Sequence, residues 1–218
     1  MTYEDITKNS SIRTYIEEAD RSLLALGYTE HSFAHVTTVA TRVEYILKTL
    51  GADERSIELG KIAGYLHDIG NLVNRIDHSQ SGAIMAFRLL DKMGFDPKEI
   101  ALITTAIGNH DEGTGVPVNS IAAALIIADK SDVRRTRVRN RDMSTFDIHD
   151  RVNYSVTKTD LSIDPEKKEI LLKLSINTEI CPITDYFEIF LGRMLLCRKA
   201  AEKLGLCFRL TINNQRLM

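Results

Sequence analysis

The feature that most restricts the fold of this chain is a His-Asp pair at the end of an apolar helical stretch. Residues 59–66 carry apolar side chains at helical spacing, and the next two residues are His67 and Asp68. An ionised carboxylate buried without a partner costs several kcal/mol, because it loses its contact with water. The fold must therefore supply a partner for His67 and Asp68 where this helix ends.

Composition and charge argue against several classes of protein. The 218 residues include 28 Lys and Arg against 30 Asp and Glu, and the net charge of −2 argues against a surface devoted to nucleic acid or to anionic membrane. No apolar run approaches the ~20 residues that span a bilayer, and the first residues do not resemble a signal peptide. Three widely spaced cysteines are typical of reduced thiols, so we expect a cytoplasmic protein.

Apolar residues recur at helical spacing up to about residue 155, with turn signals between the helices. After Val152 the pattern changes to alternating, β-branched runs that predict a hairpin, followed by a long helix and a last strand. The predicted helices of the first part lie at about 11–26, 33–50, 53–66, 78–93, 97–109 and 120–129. The predicted elements of the second part are strands at about 157–164, 169–177 and 207–213 and a helix at about 184–204.

These elements predict a mainly α protein. We expect a helical metal-binding bundle over residues 1–155 and a module over residues 156–218 that packs on it, in which a small antiparallel sheet accompanies one long helix. The two parts can equally form one structural unit. No residue of the second part indicates chemistry, and this module is a candidate wall of a pocket or interface of a homodimer.

Six polar residues lie at or near the ends of apolar helical faces, so a helical core would bring them together. One buried histidine is usually satisfied by an ordinary hydrogen bond, whereas four histidines and two carboxylates from five helices are hard to satisfy by bonding one another. Imidazole and carboxylate together suit Fe, Mn, Zn or Ni, so a divalent metal is the expected partner. The six residues are His35, His67, Asp68, His78, His110 and Asp129.

Their order along the chain resembles the HD-domain metal-dependent phosphohydrolases. That family is marked by an ordered set of His, His-Asp and Asp, which occurs here in the segments HVTTVA, LHDIG and IIADKSD. The two-metal branch of the family adds two histidines, and the segments DHSQSGA and AIGNHDE supply them here. The resemblance covers about residues 31–135, and it implies an HD-type helical bundle.

The resemblance also implies a ligand set for two divalent ions, with Fe, Mn, Ni, Zn or Mg as the candidates. Asp68 would bridge the ions, and a water shared between two cations loses a proton near neutral pH and can attack a phosphate. Thr38, Asn71 and Asp111 depart from the family's usual residues, which leaves the ligands of the second ion open. The implied first ion is held by His35, His67, Asp68 and Asp129, and the second by Asp68, His78 and His110.

Residues beside the expected ligands are candidates for catalysis and substrate binding. Lys130 follows Asp129 directly and could hold a phosphate oxygen, and Asp132 could orient Lys130 or a water, although an exposed ion pair is the alternative interpretation. The arginine-rich run 134–141 suggests a rim that recognises phosphate or, alternatively, a solvated face. The predicted catalytic residues are Asp68, Lys130 and Asp132, and the predicted substrate-binding residues are Asn71, Lys130, Arg134 and Arg135.

Two further histidines are weaker candidates. His31 forms an HxxxH pair with His35, but its position at the start of a helix makes a direct role less expected. The second His-Asp pair, His149 and Asp150, lacks the preceding apolar run and the following glycine. We expect it on a surface helix, with a substrate contact as the alternative.

The sequence therefore predicts a metal-dependent phosphatase or phosphodiesterase that acts on a small phosphorylated molecule, with nucleotides as the class that the resemblance implies. No membrane or nucleic-acid partner is expected. One alternative is a di-iron oxygenase with the same ligand set. The other is a regulatory module that binds a phosphorylated effector without cleaving it.

Overall fold

The computed structural model describes residues 1–218 and contains nine α-helices, three short 3-10 helices and one four-stranded sheet. The α-helices are α1 (Tyr3–Lys8), α2 (Ser10–Ala25), α3 (Phe33–Thr49), α4 (Glu54–Leu66), α5 (His78–Lys92), α6 (Pro97–Gly108), α7 (Ser120–Lys130), α8 (Ile148–Ser155) and α9 (Ile183–Lys203). The strands are β1 (Val156–Asp164), β2 (Glu169–Ile176), β3 (Cys207–Ile212) and β4 (Gln215–Arg216). No helix combines the length and the apolar character needed to cross a membrane.

The helices begin and end where local chemistry favours it. A polar side chain before each of seven α-helices accepts a hydrogen bond from a backbone N–H of the first turn, which would otherwise lack a partner. Glycines with positive φ follow four helix ends, a conformation that a side chain disfavours. The capping residues are Thr2, Asn9, Ser32, Asp53, Asp96, Asn119 and Asp147, and the glycines are Gly27, Gly51, Gly94 and Gly205.

Helix α7 forms the centre of the bundle. Its residues 121–128 are all buried and all apolar, so it has no solvent-facing side over this length. Helices α3, α4, α6 and α9 pack around it. Any polar residue at the C-terminal end of α7 therefore lies among several helices.

The C-terminal strands form a mixed sheet in the order β1-β2-β3-β4. β1 and β2 form the predicted antiparallel hairpin, but β3 runs parallel to β2 because α9 carries the chain back across the sheet before β3 begins. The expectation of an antiparallel sheet was thus wrong for this one pair. β4 is a short antiparallel partner of β3. The sequence pattern predicted neither β4 nor α1.

One apolar core extends through both parts of the chain. Helix α9 packs on α7 and on β3, and buried residues of the sheet such as Leu172 and Leu210 belong to the same cluster as Val39 and Ile126 of the bundle. The C-terminal module is therefore one wall of the bundle rather than a separate body.

Helices α3 and α4 approach each other closely at Gly64. A Cβ atom at this position would lie 2.9 Å from Ala40 Cα and 3.0 Å from Ala40 N, which are backbone atoms that cannot rotate away. This contact fixes the last turn of α4, and His67 follows directly after it.

We predict that Gly64→Ala lowers the free energy of unfolding by about 1–3 kcal/mol, because the added methyl group overpacks the contact between α3 and α4. Gly192→Ala is the matched control: Gly192 lies inside α9 with no atom within 4 Å of a built Cβ. That change should raise stability by about 0.5–1 kcal/mol through helix propensity. Urea denaturation of both variants measures the difference, and an equal effect of the two changes would contradict the close approach.

Candidate metal centre

The six predicted ligands come from the ends of five helices that meet at one place. His35 lies in the first turn of α3, and His78 is the first residue of α5. His67 and Asp68 follow α4 directly, His110 follows α6 after one residue, and Asp129 is the next-to-last residue of α7. The imidazoles of His35, His67 and His110 are fully buried.

Gly70 allows α5 to start beside the His-Asp pair. A Cβ at Gly70 would collide with the carbonyl oxygen of His78 and the backbone nitrogen of Gly82. The glycine two residues after Asp68 therefore lets His78 reach the same centre.

Four atoms form the first cluster. His35 Nε2 lies 3.3 Å from His67 Nε2, 3.3 Å from Asp129 Oδ1 and 3.5 Å from Asp68 Oδ2. His67 Nε2 lies 3.2 Å from Asp68 Oδ2 and 3.7 Å from Asp129 Oδ1. Ligand atoms at about 2.0–2.2 Å from a tetrahedral metal ion lie about 3.3–3.6 Å from one another, so these separations suit one ion.

The second cluster uses the other oxygen of Asp68. His78 Nε2 lies 3.2 Å from His110 Nε2 and 3.5 Å from Asp68 Oδ1, and His110 Nε2 is 4.0 Å from the same oxygen. Asp111 Oδ1 is 4.0 Å from His78 Nε2, so it lies at the edge of this cluster. The two oxygens of Asp68 thus face different clusters, which is the geometry of a bridging carboxylate.

The hydrogen bond at Nδ1 of each imidazole leaves Nε2 to face the cluster. Three Nδ1 atoms bond to backbone carbonyl oxygens, which can only accept, so each of these Nδ1 atoms carries a proton and Nε2 is the nitrogen that can bind a metal ion. Two Nε2 atoms 3.2–3.3 Å apart repel each other unless a proton or a metal ion lies between them, and the residues therefore fit metal ions. The Nδ1 bonds are His35 to Asp132 Oδ2 (2.8 Å), His67 to Gly64 O (2.8 Å), His78 to Arg75 O (3.0 Å) and His110 to Ile107 O (2.6 Å).

The pKa values of the ligands show how strongly the first cluster attracts positive charge. Burial alone would lower the pKa of His67, but the carboxylates of Asp68 and Asp129 outweigh it and raise that pKa to about 10. Burial would raise the pKa of Asp68, yet the neighbouring imidazoles hold it well below its usual value. Burial and the nearby His67 lower the pKa of His110, which keeps this ring neutral and able to bind metal.

Lys130 holds the outer oxygen of a ligand. Its Nζ lies 2.8 Å from Asp129 Oδ2 and 2.7 Å from Glu112 Oε2, while Glu112 Oε1 accepts a hydrogen bond from Arg193 Nε at 3.0 Å. Burial lowers the pKa of Lys130, but these two carboxylates raise it overall, so the amine stays charged. The predicted catalytic lysine therefore positions Asp129, and its direct contact with substrate stays a prediction.

Asp132 and Asn71 also contact ligands. Asp132 accepts the Nδ1 proton of His35 and lies on the side of that ring away from the cluster, where Arg134 Nε donates to it at 3.1 Å. Asn71 donates to Asp68 Oδ1 at 3.0 Å. Of the predicted substrate-binding residues, Asn71 and Arg134 thus bond to carboxylates, and Arg135 bonds to Tyr154 O.

A cavity of about 360 Å³ lies beside the two clusters. His31, on its wall, has its ring centre 5.5 Å from that of His35, and Arg75 NH1 on the same wall is 3.9 Å from Asp68 Oδ1. Arg193 connects the cavity to Glu112 and so to Lys130. The lining residues are Leu26, Gly27, Tyr28, Thr29, His31, Arg75, Arg137, Asp147, His149, Asp150, Asn153, Phe190 and Arg193.

Several of these residues were not predicted as part of a site. Arg75 and Arg193 stand in the sequence without any motif around them, and only the packing of α9 brings Arg193 to the clusters. Arg137 belongs to the predicted arginine-rich run but was not singled out. His149 and Asp150 lie on the helix α8, as expected, and His149 is exposed, whereas Asp150 is buried. Both residues line the cavity, and the alternative of a substrate contact stays a prediction.

Comparisons with known proteins give three similarities. Residues 32–151 match a family model described as HD domain, and this segment contains all six predicted ligands. An uncharacterized protein of Methanocaldococcus jannaschii is 26% identical over 203 residues, which cover 82% of this chain and 77% of that protein. A crystal structure of a predicted HD superfamily hydrolase from an uncultured Thermotogales bacterium is 24% identical, with a TM-score of 0.44 over 60% of this chain and 73% of that one.

We predict that the protein binds two equivalents of Mn²⁺ and that His110→Ala binds one, because this change removes a ligand from the second cluster alone. Asp68→Ala should weaken both sites, since each cluster loses an oxygen. Elemental analysis after dialysis measures the stoichiometry. His149→Ala, outside both clusters, is the control and should keep two equivalents; a His110→Ala protein that also keeps two would contradict the assignment.

We further predict that Asp132→Asn weakens the affinity of the first site for metal about 10–100-fold, because the neutral amide orients and polarises His35 less than the carboxylate does. Competition with a chelator measures this affinity, and circular dichroism checks the fold. The exposed Asp160 allows a matched control, Asp160→Asn, which should leave the affinity unchanged. Equal affinity of the Asp132→Asn protein and the parent would show that Asp132 does not act through His35.

Proposed function

Because the chain belongs to the HD-domain family, we propose that it is a metal-dependent phosphohydrolase that cleaves a phosphate ester of a small molecule. The observation that carries this proposal is the carboxylate of Asp68, whose two oxygens face two histidine clusters beside a cavity rich in arginine. Two bound divalent ions would supply an activated water and neutralise charge on the phosphate.

The chain's own residues hold this arrangement rigid. Asp132 fixes the ring of His35, Lys130 fixes Asp129, and Asn71 fixes Asp68. His35 and Asp129 thus have a partner on the side away from the clusters, and Asp68 has one at Oδ1, so these groups are placed before substrate arrives. Such preorganisation lowers the reorganisation needed in the transition state.

The arginines of the cavity suit a phosphate group. Arg75, Arg137 and Arg193 each use one or two N–H groups on protein acceptors, and each keeps at least one terminal nitrogen without a protein partner. None of these nitrogens is both fully buried and without a hydrogen-bond partner, so they can reach a ligand. Guanidinium groups bind phosphate oxygens through paired hydrogen bonds, which would hold the substrate while the ester bond breaks.

Monoesters and diesters both suit this centre, and nucleotides remain the expected class. The exposed ring of Tyr28 on the cavity wall supports a substrate with a flat or apolar part. This assignment is a proposal that a panel of nucleotides tests.

We predict that the protein loaded with Mn²⁺ releases p-nitrophenol from p-nitrophenyl phosphate or from its bis ester. Asp68→Ala should lower kcat/KM at least about 10³-fold, because the stabilisation that two metal ions give to the transition state is worth several kcal/mol. Asp160→Asn, an exposed carboxylate on β1, is the control and should keep full activity.

Three other results would favour different functions. Failure to cleave both esters and every nucleotide with Mn²⁺ or Ni²⁺ would overturn the proposal and favour a regulatory module. Oxygen consumption by a protein that carries two iron ions would favour an oxygenase. Undiminished activity of Asp68→Ala would place the chemistry elsewhere in the protein.

A further inference from the structure

The cavity beside the metal clusters has one wall of hydrogen-bond donors. Arg137 is 5% exposed and donates through Nε to Glu30 O and through NH1 to Asp132 O, which leaves NH2 without a partner. Arg193 donates only through Nε. Arg75 donates only through NH1 and lies next to Asp68, so this wall adjoins the second cluster.

Another part of the cavity wall, formed by α8, presents acceptors. Asp150 is 9% exposed; its Oδ2 receives one long hydrogen bond of 3.4 Å from Asn140, and its Oδ1 receives none. Asn153 is 6% exposed and donates through Nδ2 to His149 O, which leaves its Oδ1 free. Asp150 and Asn153 are three residues apart on one helix, so their side chains lie on the same face.

A cavity for phosphate alone would not be expected to contain this acceptor wall. A carboxylate repels a phosphate group, and the repulsion is strong where water is largely excluded. Asp147 lines the cavity beside Asp150 and adds a second carboxylate to the same wall. The part of the ligand that faces α8 must therefore donate hydrogen bonds and cannot itself be anionic.

We propose that the cavity binds the phosphate ester of a polyhydroxylated carbon skeleton, such as a sugar or the ribose of a nucleotide. The phosphate lies against the arginines and the metal centre, and the hydroxyl groups donate to Asp150 and Asn153. This inference rests on the proposed function for the position of the phosphate, and it adds the chemistry of the rest of the substrate. Asp150 and Asn153 then determine specificity and do not touch the reacting atoms.

The test compares two ligands that share a phosphate and differ in hydroxyl groups. Calorimetry on the Mn²⁺-loaded protein should show that ribose 5-phosphate binds at least about tenfold more tightly than propyl phosphate, the effect of one charge-assisted hydrogen bond. Asp150→Ala should remove most of this preference without changing the affinity for propyl phosphate or the metal content. Asp150→Asn, which keeps an acceptor without the charge, should keep part of the preference and gives an answer if Asp150→Ala does not fold.

Asp160→Asn is the matched control and should keep the full preference, because Asp160 is exposed on β1. Equal binding of ribose 5-phosphate and propyl phosphate to the parent protein, or no binding of ribose 5-phosphate, would overturn the inference. An unchanged preference in both Asp150 variants would also overturn it. Tighter binding of 2-aminoethyl phosphate than of ribose 5-phosphate would show that the acceptor wall recognises an ammonium group rather than hydroxyl groups. That result would also overturn the inference.

One further comparison distinguishes a nucleotide from a free sugar phosphate as the ligand. Another distinguishes failure of the inference from failure of the proposed function. Tighter binding of AMP than of ribose 5-phosphate supports a nucleotide as the source of the ribose, and the reverse supports a free sugar phosphate. Cleavage of p-nitrophenyl phosphate without any preference for ribose 5-phosphate would leave the proposed function standing and refute the inference. A preference for ribose 5-phosphate that depends on Asp150, in a protein without hydrolytic activity, would support the inference and refute the proposed function.

Discussion

The mutual repulsion of imidazole lone pairs is the constraint on which the rest of the site depends. Four Nε2 atoms point inward because four Nδ1 atoms are committed to acceptors outside the clusters, and two Nε2 pairs approach to 3.2–3.3 Å. Such an arrangement is unstable in an apolar core without positive charge, since each inner nitrogen has lost water and gained no donor. Metal ions, or protons in their place, would compensate for this cost and allow the helices to pack in this way.

The position of the ligands at helix ends follows from the same need for polar partners. The last carbonyl groups of an α-helix have no intrahelical donor. His67 uses the carbonyl of Gly64 in the last turn of α4, and His110 uses that of Ile107 in the last turn of α6. The bond from His67 gives the Gly64 carbonyl a partner, the bond from His110 adds to the backbone bonds of the Ile107 carbonyl, and each bond orients a predicted ligand. A histidine in the middle of either helix would find no such free acceptor.

The meeting of the six predicted ligands could be predicted from the sequence because it depends on local periodicity. His35, His78 and Asp129 each continue an apolar stripe, and helices with such stripes must bury them together. The cavity could not be predicted in this way, since Arg193 comes from α9 and Arg75 from a polar loop, and neither position has a periodic signal. The parallel pairing of β2 and β3 was missed for a similar reason: hairpin patterns indicate neighbours along the chain, whereas a crossover depends on how α9 docks.

The docking of α9 limits how the protein can be divided. The HD-domain match ends at residue 151, so a fragment cut there would contain every predicted ligand. Its central helix α7 would nevertheless lose the covering provided by α9, and Glu112 would lose the guanidinium of Arg193. Fusion or truncation experiments that treat residues 32–151 as an independent unit would expose an apolar surface along α7. Such a fragment would be prone to aggregate even though it keeps all the predicted ligands.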